Sequence, residues 1–323
     1  MASGGSVLTE TRDARRGIWS WVLLAVVAAV AAYVVVRDRH DLATAFREIG
    51  WGAMAASAGL AILGTVVLLG LWTSVLRGLG AAVPVGEAWR VFFISQLGKY
   101  LPGLVWPALA QMEAGRRWGV RRSVMLAGNL LMIAILTASG VVVGLVLLPG
   151  SIGLAGVAGW IAWVLAGVLL VVCLWPRLLT EAIDRAFVLV HREPPQLATS
   201  SRDMVVSFAW ALATWLLYGL HVWVLVRSVG GSGLDAWVAA IGGIALGWAL
   251  GLVAVLAPAG VGVRDAILVG VLSPVVGRSP ALAVALASRG LLALTDVLLA
   301  ALAALRPSRA PAVGSVRSGE AQE

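Results

Sequence analysis

The sequence predicts an all-α, polytopic membrane protein with seven to eight transmembrane helices and two broken or re-entrant segments arranged as a weak internal repeat. Three observations carry that expectation. Of 323 residues, 60% are hydrophobic and only 12% are charged, and the mean hydropathy of +0.96 lies far above that of a soluble domain. The apolar residues gather into runs long enough to cross about 30 Å of hydrocarbon. Two apolar stretches are interrupted by proline, glycine and charge: SQLGKYLPGLVWPALAQ at 95–111 and VLAPAGVGVRDAILVGVLSP at 255–274. A lipid-facing helix must satisfy its own backbone hydrogen bonds, so a broken helix at membrane depth persists only where protein or a water-filled cavity surrounds it.

Taken in order, residues 1–17 are polar, carry Arg12, Arg15 and Arg16, and precede an apolar run at 18–36. That run reads as an uncleaved anchor, because a signal peptide has a shorter apolar core. Further spans are expected at 52–76, 124–148, 152–175, 205–226, 237–257 and 281–305. The segments flanking Pro102 and Pro258 would add re-entrant hairpins or extra crossings. The membrane domain thus covers 18–305, in halves of roughly 18–148 and 152–305. Residues 306–323, rich in Pro, Ser, Gly and Ala, read as a disordered tail. The longest polar interval inside the chain, 176–204, is too short for a soluble catalytic domain.

Arginine placement sets the expected orientation, since positively charged loops stay in the cytoplasm. Residues 113–122 hold Arg116, Arg117, Arg121 and Arg122, and residues 176–204 hold Arg177, Arg185, Arg192 and Arg202. Both loops and the N-terminus are therefore expected inside. For this to hold, the chain over 88–111 must enter the membrane and return to the same side as a hairpin. Residues 37–50, 149–153 and 227–235 then fall outside. The parity that decides the side of the C-terminus stays open.

The net charge of +8 follows from these loop arginines, with attraction to anionic head groups as a by-product, and requires no nucleic-acid partner. Trp19, Trp21, Trp51, Trp175 and Trp237 fall at span ends, where indole prefers the interface. Cys173 is the only cysteine, and His40, His191 and His221 are scattered, which leaves no disulfide, CxxC pair or zinc spacing. There is no phosphate-binding GxxxxGK[ST] loop, and GVG at 260–262 lacks the context of a dinucleotide fold. No cofactor, metal or catalytic residue is expected, and ATP-driven work by this chain is not.

What remains is a short set of polar groups in costly places. Lys99 is the only lysine in a chain that otherwise uses arginine. Either it snorkels to the interface, or it faces a cavity with Gln96 and Tyr100, just before Pro102 and Gly103, and contacts an anionic head group. In the second half, Pro258, Gly260 and Gly262 precede Arg264 and Asp265. A charge pair in an apolar stretch marks a pathway, a gating contact or a buried structural pair. Arg289 and Asp296 lie two helical turns apart on one face of the last span. They are too far apart to pair directly, so Arg264 with Asp296, or Asp265 with Arg289, are the cross-helix pairings to expect. Each half also runs in the same order: a long span, a Pro/Gly break, charge, then another long span with a polar group, Asn129 or Arg289, near its start.

LGKYLPG followed by a basic loop and a long span, together with APAGVGVRDAIL and ASRGLLALTDVLL, resembles the flippase-like membrane domain of the lysylphosphatidylglycerol synthase family over about 18–305. In that family the acid after GxGxR is commonly glutamate, so Asp265 is a conservative departure. Two others are the apolar 104–110 segment, where an acid and an arginine are frequent, and Asn129, where a charge is common. The resemblance implies a multi-pass protein of a bacterial plasma membrane that handles lipid and, without a synthase domain, does not aminoacylate it. It implies a flippase-like translocator moving an anionic or glycosylated lipid between leaflets, beside a partner glycosyltransferase or lipid synthase. Asp265 and Asp296 would be proton carriers if transport is coupled to protons. The alternative is a membrane glycosyltransferase, or its accessory subunit, that uses a polyprenyl-linked donor. Its support is the acidic RDRHD at 37–41 with Glu48. A non-transporting scaffold would have no need of the buried charges. Neither the lipid nor the oligomeric state can be read from the residues.

Overall fold

The computed structural model describes residues 39–305, apart from 82, 101–105, 152–155, 190, 196, 198 and 254–261. The predicted N-terminus and first span (1–36) and the tail (306–323) lie outside the described residues. All the described elements are helical: α1 (Arg39–Gly78), α2 (Val85–Gln96), a 3-10 turn (Leu97–Tyr100), α3 (Trp106–Arg117), α4 (Arg122–Ser151), α5 (Val157–Leu174), α6 (Pro176–Leu189), α7 (Ser201–Ser228), α8 (Gly233–Val253), α9 (Val263–Val276) and α10 (Arg278–Leu305). Six of these are long and apolar enough to cross a membrane: Arg47–Gly78, Arg122–Pro149, Val157–Leu174, Ser201–Ser228, Gly233–Leu252 and Arg278–Leu305. They coincide with every predicted span after the first.

Two expected loops are helical. Residues 39–49 continue into α1 through a kink at Gly50 (φ 65°, ψ 157°), a backbone conformation that glycine adopts without a steric penalty. Ile49, only 2% exposed, anchors this first segment to the core. Within 176–204, α6 buries Thr180, Ile183 and Phe187, one stripe of a helical period, while Arg177, Glu181 and Arg185 stay exposed.

Helices α1 and α7 pack antiparallel. Ser57 meets His221, Thr65 meets Tyr218 and Ser74 meets Ser207, so the numbers rise on one helix as they fall on the other. A Cβ at Gly70 would meet the Trp210 ring at 2.6 Å. Glycine there lets the indole lie against the α1 backbone, the close approach that packs helices where lipid offers no hydrophobic drive.

The ends of the bundle can be tracked from such contacts. Gly128, near the start of α4, packs on Leu76 and Leu79 at the end of α1. Arg121 Nη2 donates to the Pro195 carbonyl at 3.1 Å. Hence the arginine-rich stretches 113–122 and 176–204 meet at one end of the molecule, as the charge pattern requires. Helices α2 and α3 leave that end and return to it. Their two arms are tied by Gln111 Nε2 donating to Ser95 Oγ at 2.8 Å.

The second break forms a hairpin of opposite sense. Helix α9 runs back along α8: a Cβ at Gly247 would sit 3.0 Å from the Arg264 carbonyl, one at Gly243 would sit 3.2 Å from Leu268 and Val271, and one at Gly231 would meet Val276 at 2.8 Å. At about 1.5 Å per residue the fourteen residues of α9 cover about 21 Å, too short to span. It therefore starts inside the bundle and ends beside the beginning of α8, at the end opposite the arginines. The two broken hairpins enter from opposite ends, an inverted arrangement of the kind found in repeat-built transporters. Helix α10 starts at that second end, passes His221 at Ser288 and the first hairpin at Asp296, and reaches Leu305 at the arginine-rich end. The last described residue thus lies at the same end as the arginine-rich stretches.

Candidate functional site

The first hairpin turns from α2 into a 3-10 turn that carries Lys99 and Tyr100. Lys99 Nζ lies 2.7 Å from Asp296 Oδ2. Tyr100 Oη donates to the same oxygen at 2.6 Å, and Lys99 sits 5.5 Å over the Tyr100 ring. Asp296 is 4% exposed and Lys99 36% exposed, so a buried carboxylate on the last helix holds a cation that still reaches open space. The expected pairing of Asp296 with Arg264 does not form. Asp296 takes Lys99 instead, because the first hairpin's tip, and not α9, lies against its oxygen. Lys99 therefore has a carboxylate partner within the protein.

The other expected pairing does form. Arg289 Nη1 on α10 pairs with Asp265 Oδ2 on α9. The same carboxylate oxygen accepts from the Gly262 backbone N–H at 3.3 Å, so Asp265 also caps the helix it begins. Gly262 is the N-cap with φ 90°, a conformation that a side chain would strain. Arg264, one residue earlier, is half-buried and forms no ion pair among the described residues. Tyr218 shares a hydrogen bond of 3.0 Å with Thr65 on α1.

Lys99 and Tyr100 of the first hairpin and Gly262, Arg264 and Asp265 of the second thus approach one helix, α10, at Asp296 and at Arg289, about 10 Å apart along its axis; these residues are taken together as the polar layer. Gln96 lies one turn before Lys99 and is half-buried. Pro102, Gly103, Pro258 and Gly260 lie outside the described residues. Charges inside an apolar bundle are costly unless paired, and two of the three cations here have a carboxylate partner.

Two buried polar centres carry no strong signal in the sequence. Gln111, 1% exposed, accepts from Trp72 Nε1 at 2.8 Å and from Asn129 Nδ2, and donates to Ser95. It ties both arms of the first hairpin to α1 and α4. The one hint is an amide placed among apolar residues in VWPALAQ. His221, fully buried, joins three helices. Its Nδ1 faces the Ser57 carbonyl at 3.0 Å, its Nε2 faces Ser288 Oγ at 2.9 Å, and Ser57 Oγ donates to the His221 carbonyl at 2.9 Å. Nδ1 also lies 2.6 Å from Ser57 Oγ, so both ring nitrogens have a hydroxyl partner and the imidazole ties α1, α7 and α10 together. This is a structural histidine, which fits the lack of any motif around it.

A family profile described as Lysylphosphatidylglycerol synthase TM region matches residues 19–300, which takes in every helix of this layer. No curated protein matches the sequence closely enough to carry an argument.

Proposed function

The chain belongs to the lysylphosphatidylglycerol synthase transmembrane-region family, and from that premise we propose that this multi-pass membrane protein moves an anionic or glycosylated lipid between the leaflets of a bacterial plasma membrane. The observation that carries the reading is the convergence of two oppositely inserted broken hairpins on α10, through Lys99 and Tyr100 on Asp296 and Asp265 on Arg289, two turns apart on that helix. Broken segments at matching positions in two halves, with charge between them, are what a substrate pathway through a membrane requires. In this scheme the layer shelters the head group while the acyl or prenyl chains stay in the bilayer.

The arginine-rich end faces the cytoplasm, by the positive-inside rule. Movement proceeds without nucleotide hydrolysis, either downhill or coupled to an ion gradient. The Lys99–Asp296 contact is the movable part. Asp296 holds Lys99 and Tyr100 of one hairpin through a single carboxylate oxygen, so a shift of α10 would free the two together. The protein does no covalent chemistry on the lipid, and a glycosyltransferase or lipid synthase at the same membrane would supply or consume it.

The test is leaflet exchange of a fluorescent phospholipid in liposomes that contain the purified protein. Exchange faster than in protein-free liposomes, and unaffected by ATP, is the expected result. Transfer of a sugar from a polyprenyl donor, with no exchange, would replace this reading with the glycosyltransferase one.

A further inference from the structure

We infer that the head group received by this layer carries one net negative charge, as a phosphodiester does, and that Arg264 is the residue that takes it. The inference rests on the translocation reading for the idea that a lipid enters the layer. Its charge and the residue come from a count of the groups present.

Lys99, Arg264 and Arg289 stand against Asp265 and Asp296, three cations against two carboxylates. Lys99 is engaged by Asp296 and Arg289 by Asp265. Arg264 is the cation left over, with no ion pair or hydrogen bond from its side chain among the described residues. Its backbone packs against Gly247, in a helix that runs from Gly233 to Val253, so at about 1.5 Å per residue it lies about 21 Å from one end of α8 and about 9 Å from the other. A half-buried guanidinium among apolar helices is costly without a counter-charge.

The surroundings favour an oxyanion. Arg264 lies in the first turn of α9, where the helix dipole favours negative charge. A guanidinium presents two parallel donors that match two phosphate oxygens, in a way that an ammonium cannot. A head group of net charge −1 would bring the layer to neutrality. A cationic, aminoacylated head group would add to the excess. A diphosphate would carry at least one negative charge more than Arg264 can balance.

The probes are fluorescent phosphatidylglycerol (−1), phosphatidylcholine (0) and lysylphosphatidylglycerol (+1), bound to the full-length protein in detergent, with leaflet exchange measured in parallel. Wild-type protein is expected to prefer phosphatidylglycerol over phosphatidylcholine by about tenfold, which corresponds to about 1.4 kcal/mol, and to bind the lysyl lipid weakest. Arg264→Gln should bring the first ratio near one, and Arg264→Lys, which keeps the charge but not the paired donors, should retain only part of it. Equal binding of the three lipids by wild type, which needs no variant to read, overturns the inference. So does a preference that survives in folded Arg264→Gln. Selective binding without exchange would keep the inference and sink translocation, and exchange without any charge preference would do the reverse.

Discussion

Replacing Lys99 with glutamine should destabilise the protein more than replacing its partner Asp296 with asparagine, although the two changes break the same ion pair. The asymmetry comes from burial. Asp296 is 4% exposed and Lys99 36% exposed. In Lys99→Gln the carboxylate stays in the apolar interior with only the Tyr100 hydroxyl to solvate it. In Asp296→Asn the stranded ammonium still reaches open space. Breaking a fully buried pair costs about 3–5 kcal/mol, and partial exposure of Lys99 lowers that figure. We expect about 2–3 kcal/mol for Lys99→Gln. For Asp296→Asn, where a charged hydrogen bond becomes a neutral one, about 1–2 kcal/mol is expected. The double variant should resemble Asp296→Asn alone, because no uncompensated charge remains. Tryptophan-fluorescence melting of the four proteins in one detergent gives the order directly. A melting temperature for Lys99→Gln equal to wild type, or a double variant that shows the full sum of the single losses, would refute the clamp.

Three further outcomes follow from the packing. Gln111→Leu leaves the buried donors of Trp72 and Asn129 and the Ser95 hydroxyl without their shared partner; at about 1–3 kcal/mol for each orphaned group, it should cost about 3 kcal/mol or more in the same melt. Asp265→Ala loses both the Arg289 pair and the cap on Gly262, whereas Asp265→Asn keeps a capping oxygen, so the alanine variant should melt lower by about 1 kcal/mol equivalent. Tags inserted in 113–122 and in 176–204 should report the cytoplasm and a tag in 227–235 the outside; opposite sides for the first two would contradict the returning hairpin that the Arg121–Pro195 contact implies.

Much of this fold is written in local pattern, and the rest depends on partners far apart in the chain. Hydropathy alone marks each span, because every helix must carry its own apolar run. Proline and glycine mark both hairpins for the same reason, since they break that run. The opposite sense of the two hairpins is not local: α9 returns to the start of α8 only because Gly231, Gly243 and Gly247 let it pack there. Charge in an apolar stretch flags Lys99, Arg264, Asp265, Arg289 and Asp296, and the sequence narrows their pairing to two options, one of which forms. Asp296 finds Lys99 across nearly two hundred residues, a contact that no periodicity encodes. Gln111 and His221 escape notice because a neutral amide and a lone imidazole leave no spacing signal. In α6 the density of charge hides the helical period of Thr180, Ile183 and Phe187.

The claim that a lipid crosses between the hairpins is tested most directly by nucleotide-free leaflet exchange of phosphatidylglycerol. Wild-type protein should be compared with the folded Lys99→Gln/Asp296→Asn double variant in matched liposomes. The double variant removes the contact that ties one hairpin's tip to α10 without leaving a stranded charge. Exchange above the protein-free rate in wild type, with a rate changed by about tenfold or more in the double variant, about 1.4 kcal/mol in the barrier, is the predicted result. Wild-type liposomes that exchange no faster than empty ones, or a double variant that matches wild type, would contradict it.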